Sequence, residues 1–103
     1  MSMPTQRCRF GPCSARIIWA TTYRGRDVPL DADPVAPGTK NALVLIGEVA
    51  FSLVPAVTRI AHMFGVDEAE AFRRAHEEYG WHLTHFATCP FADRARRRRR
   101  SVT

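Results

Sequence analysis

Residues 8–13 read CRFGPC, two thiols five positions apart in a chain of 103 that holds only three cysteines. The third, Cys89, sits at the other end of the sequence in HFATCP, residues 85–90. An odd number of cysteines leaves one thiol over in any disulfide scheme. Gly11 and Pro12 form turns rather than helix or strand, so the first two sulfurs can point the same way. His85 and Cys89 have three residues between them, a spacing that suits a helical turn or a short loop with both side chains on one side. Two local pairs brought together by the fold are the pattern of a tetrahedral Cys/His zinc site. The expected ligands of a Zn2+ ion are therefore Cys8, Cys13, His85 and Cys89, and the two ends of the chain must meet.

The competing readings are weaker. Free cysteines are often small buried hydrophobes, but here prolines adjoin Cys13 and Cys89, and the surroundings are polar and turn-forming. His82 is an alternative to His85, although His85 makes the better local pair with Cys89. His62 and His76 lie on helical segments and are expected at the surface or in packing. Three thiolates on a dication leave a charge of about −1, which Arg7, Arg9 or Arg94 can offset. A catalytic zinc needs an open position and a nearby carboxylate. Glu77 and Glu78 are at hand, but there is no H-E-x-x-H pattern and no deaminase pattern. No enzyme is expected, and no small-molecule substrate is evident.

Outward from the first pair, ARIIWATTY is rich in β-branched and aromatic residues and predicts a strand. Arg24 to Asp27 predicts a turn, with Gly25 free to take positive φ. The three prolines of DVPLDADPVAPGTK predict a looped or extended crossing, since proline is excluded from central strands. NALVLIGEVAFSLV predicts a hairpin bent at Gly47-Glu48. At Pro55 the period changes, and Val57, Ile60, Ala61 and Phe64 predict a helix ended by Gly65. Asp67 is expected to cap a second helix in a capping-box pattern with Glu70, with Phe72, Ala75 and Tyr79 on its inner face. The expected fold is α+β: a small antiparallel sheet, with a helical pair over about 55–80 placed before the second knuckle. A chain this short has room for one core. Its longest apolar stretch, interrupted by Glu48 and Pro55, is too short to span a bilayer. The N-terminus lacks the apolar region of a signal peptide, so a reduced, cytoplasmic setting is expected.

Several of these short motifs together resemble small zinc-ribbon-like proteins of unknown function from actinobacteriophages and related bacteria. Cys13, Ile18-Trp19, Thr22, Gly25-Arg26, Pro29-Leu30-Asp31 and Pro34 carry the likeness, with His85-Phe86, Thr88 and Cys89-Pro90 near the end. It covers about residues 8–39 and 83–97. The first knuckle departs from that family's Cys-x2-Cys, and the helical stretch is an elaboration. The resemblance implies a zinc-ribbon-like sheet, a zinc site and a phage setting (hence host cytoplasm), and assigns no activity.

The formal charge of +5 is misleading as a property of the fold. Residues 1–93 hold nine basic and ten acidic side chains, and the excess lies in Arg94, Arg96, Arg97, Arg98, Arg99 and Arg100. Residues 1–93 are thus read as the folded domain and 94–103 as a basic tail that binds nucleic acid through phosphates. A helix-turn-helix reading of RIAHMFGVDEAEAFRRAH is disfavoured: Asp67, Glu68 and Glu70 at the start of the second helix would repel DNA, despite Arg73 and Arg74. The alternative function is a protein-interaction module acting on a host protein machine. Its surface would be an acidic face of Glu68, Glu77 and Glu78 with the aromatics Tyr79, Trp81 and Phe86.

Overall fold

Strand β2 (Arg16–Thr22) organises the sheet because both of its edges are used. A computed structural model describes residues 4–8 and 13–89. Strand β3 (Asp27–Asp31) pairs antiparallel along one edge of β2 from Ile17 to Thr21. The other edge is shared by β1 (Thr5–Arg7), antiparallel at Arg16–Ile18, and by β5 (Val49–Phe51), parallel at Thr21–Thr22. β5 forms a hairpin with β4 (Leu43–Ile46), and β4 pairs with β6 (Gly80–His82). Past β6 the chain returns to β3 through a Leu30–Thr84 bridge and a bond from Asp31 N–H to Leu83 O of 2.9 Å. Pairing therefore runs in a ring, β3–β2–β5–β4–β6 and back to β3.

This sheet is mixed rather than purely antiparallel, which corrects the expected fold. The crossing from Ala32 to Ala42 carries the chain back before the β4–β5 hairpin, so β5 runs with β2. Nothing in strand composition encodes that direction. Of the looped or extended crossing expected there, DVPLD takes the extended form and pairs as strand β3 despite Pro29. The Asp31 N–H points away from β2, to Leu83. By the two-residue alternation Pro29 nitrogen faces outward as well, so its missing N–H costs the β2–β3 ladder nothing. The turn and hairpin fall as expected, with Gly25 at φ 87° and Gly47 at φ 62°, values a side chain would oppose.

Helix α1 (Leu53–Phe64) starts two residues before Pro55 and buries Ala56, Val57 and Ile60. Gly65, left-handed at φ 62°, ends it and returns its N–H to Ala61 O. Helix α2 (Glu68–Glu78) is capped by Asp67, whose side chain accepts from Glu70 N–H at 2.8 Å. The reciprocal half of the expected capping box is not made, because the Glu70 carboxylate turns to Arg73 and Arg74. The buried face of α2 is Ala71 and Ala75, small enough for α1 to approach with Val57 and Ile60. Phe72, expected on that face, lies one helical step round, 48% exposed, with its ring against His76. Trp81 on β6 is buried with Ala42, Val44 and Ala56, and its indole N–H donates to Ala75 O at 2.8 Å. His62 is exposed, as expected. Among the described residues, no helix is long and apolar enough to cross a membrane.

The alternation of β2 and β3 gives the sheet two functions. Ile18, Ala20, Val28 and Leu30 point inward with Ala50 to form the sheet core. Ile17, Trp19, Pro29 and Asp31 belong to the opposite face by register. Ile17 there is packed with Cys8 and Cys89. The second face is where Cys8 and Cys89 meet.

Candidate metal centre

The first knuckle is an extension of the β1–β2 ladder. Beyond the Arg7–Arg16 pair, Cys8 N–H donates to Ala15 O at 2.8 Å, closing the intervening loop at its neck. Ser14 holds a left-handed φ of 53°, and Arg7 Nη1 donates to its carbonyl at 3.0 Å. The Ala15 N–H bonds the Cys13 sulfur, which is the main reason the thiol is lowered to about 7; burial opposes this, and His85, Cys89 and Cys8 add to it. Gly11, Pro12 and Arg9 lie outside the described residues.

The second knuckle is a single helical turn, α3 (His85–Thr88). Cys89 N–H donates to His85 O at 2.7 Å, so His85 and Cys89 stand one turn apart on the same side. The Leu30–Thr84 bridge sets this turn against β3.

One donor atom from each of Cys8, Cys13, His85 and Cys89 lies within 4.8 Å of the other three. All three thiols are unbridged. Cys8 Sγ and Cys89 Sγ are 3.8 Å apart, and Cys13 Sγ is 3.5 Å from His85 Nε2. Metal–sulfur bonds of about 2.3 Å and a metal–nitrogen bond of about 2.0 Å, set tetrahedrally, give S···S edges of about 3.8 Å and S···N edges of about 3.5 Å. The expected set is thus brought together at a spacing that could hold a metal ion and is compatible with a zinc site.

Two residues that the spacing argument missed complete the arrangement. His85 is only 3% exposed, and its Nδ1 lies 2.7 Å from Asp31 Oδ1. Thr88 Oγ1 donates to the same carboxylate oxygen at 2.8 Å. With Nδ1–H donated to Asp31, the lone pair sits on Nε2, the atom that faces Cys13. Strand alternation held the signal: Asp31 ends a strand two residues after Pro29, on the face that carries Ile17.

The remaining candidates separate. His82 is buried but outside the cluster, with Nδ1 2.9 Å from Asp31 O. His76 packs between Phe72 and Trp81. Tyr79, Trp81 and Phe86 do not form one surface: Trp81 is in the core, Tyr79 half-buried, and Phe86 borders a cleft beside the metal centre. Arg94 and Arg96–Arg100, with the boundary at residue 93, lie outside the described residues. The chain matches no protein-family model, and neither curated proteins nor solved structures offer a similar chain. The likeness to small zinc-ribbon-like proteins therefore rests on its sequence motifs alone.

Proposed function

We propose that this is a small zinc-binding protein whose metal is structural and whose partner is nucleic acid, held through Arg94 and Arg96–Arg100. The observation that carries the zinc reading is the Asp31–His85 pair behind three converging thiols. Thiolate and imidazole donors in a tetrahedral set favour zinc over the hard cations, which take oxygen ligands. Four protein ligands would leave no open position for water or substrate. The nearby carboxylate of Asp31 is committed to His85 and Thr88 rather than available as a general base. The metal's role is then to fasten the first knuckle to the last, and the protein is not an enzyme.

The nucleic-acid reading is supported by the confinement of the positive excess to the last ten residues. Six arginines that each neutralise a phosphate predict a log K against log salt slope of about −5 on B-DNA. The test is truncation after Asp93 with zinc content and melting followed in parallel. Truncation should remove most affinity for DNA or RNA and flatten the salt dependence, while the metal and melting temperature persist. If the truncated chain binds nucleic acid as before, the tail is not the binding element. If the full chain binds no nucleic acid, a protein partner becomes the reading to pursue.

A further inference from the structure

We infer that the cleft beside the metal centre seats an unpaired nucleobase on the face of Trp19, an inference that rests on nucleic acid being the partner. Trp19 lies in the middle of β2 yet is 45% exposed, on the sheet face that carries the metal centre. A half-exposed indole at the centre of the best-paired strand serves no core. Among the described residues it borders a cleft of about 260 Å³ together with Gln6, Arg7 and Pro29, the residue directly across from it in the ladder. The candidate metal ligands Cys8 and His85 also line this cleft.

The volume falls below the roughly 300–1,000 Å³ of sites that enclose whole small molecules. It suits one planar group entering from a longer polymer. Aromatic platforms beside positive charge are how proteins hold single strands without reading sequence. Both parts are present here. Arg7 keeps guanidinium donors beyond the one given to Ser14 O, and Gln6 offers its amide. The arginine-rich segment is rooted at the same place, because Cys89 Sγ is 3.8 Å from Cys8 Sγ. Arg94 follows Cys89 by five residues in the sequence. Bases in a duplex are already stacked on one another and cannot reach the indole. The ligand is therefore single-stranded.

Of the two tryptophans, Trp81 is 3% exposed, so fluorescence quenching by solutes reports on Trp19. The zinc-loaded full chain is titrated with an oligothymidylate of about 16 nucleotides. Bound oligonucleotide should quench Trp19 and shield it from acrylamide. Trp19→Leu should weaken binding about 5- to 150-fold, the equivalent of about 1–3 kcal/mol, with the salt slope unchanged because the arginines remain. Wild-type affinity in Trp19→Leu with an unchanged slope overturns the cleft while leaving the tail reading intact. Acrylamide access to Trp19 in the bound wild-type chain overturns it too, independently of how the variant folds. Equal quenching by a duplex of the same length overturns the single-strand preference and with it the proposal. A full chain that binds neither single strand nor duplex overturns this inference together with the nucleic-acid reading.

Discussion

His85 Nδ1 stands 2.7 Å from Asp31 Oδ1, across fifty-four residues of sequence, and that contact orients the imidazole toward Cys13. Loss of an outer carboxylate of this kind typically weakens metal binding 10- to 100-fold. Asp31→Ala should do so in competition with a chromophoric chelator, and Thr88→Val, which removes only one bond to the same oxygen, should cost less. An unchanged metal affinity in Asp31→Ala would mean that His85 is oriented by packing alone.

Removing a ligand should cost the fold. Cys8 and Cys89 are eighty-one residues apart, so a metal joining them closes most of the chain into one loop. A covalent link closing a loop of this size restricts the unfolded chain by about 4–5 kcal/mol. Structural zinc contributes apparent binding free energies on the order of 10 kcal/mol or more. Cys89→Ala, or chelation of the native chain, should abolish cooperative melting followed by circular dichroism. A near-native midpoint in either case would show a core that stands without metal.

Metal stoichiometry is the plainest check. Protein purified without chelator should carry about one zinc per chain, with X-ray absorption giving Zn–S near 2.3 Å and Zn–N near 2.0 Å. Acidification protonates the ligands and should release the ion. A disulfide in place of metal would sink the assignment.

The ion pairs on α2 give a separate pH signature. Hydrogen bonds from Arg73 and Arg74 hold the Glu70 carboxyl down at about 2, whereas an unfolded glutamate titrates near ~4.3. Because the folded value is the lower one, this contribution is present above the unfolded value and is lost as pH falls toward the folded one. Glu70→Gln should melt below wild type near neutral pH, and the gap should narrow as the pH falls below about 4.3, read down to the pH at which the metal leaves. The gap is small, since both partners are solvent-exposed in part. A gap that persists unchanged in acid would rule out Glu70 ionisation as its source.

Much of this was readable in the residues. Turn chemistry placed Gly25, Gly47 and Gly65, and Asp67 announced its helix, because those signals act over a few positions. The convergence of Cys8, Cys13, His85 and Cys89 was legible for the same reason: each pair is local, and only their meeting is distant. What escaped depends on partners far away. Pro29 is compatible with a strand only because its nitrogen faces away from β2, which composition does not reveal. The parallel course of β5 beside β2 is set by the intervening crossing. Phe72 was misplaced because the face of α2 centres on Ala71 and Ala75, whose small size signals close helix approach rather than hydrophobicity. Asp31 fell within the expected looped or extended crossing, and only the structure shows β3 as a strand ending under His85.

The meeting of the first and last knuckles also sets an order of events during synthesis. Cys8 and Cys13 emerge from the ribosome first, and on their own they offer a dication only two thiolates. His85 and Cys89 follow after β6, whose pairing with β4 brings the chain back to β3. A metal ion at this site would therefore find all four donors only once Cys89 is available. A chain cut before His85 would keep two of the four donors and would have no second knuckle to follow the Leu30–Thr84 bridge.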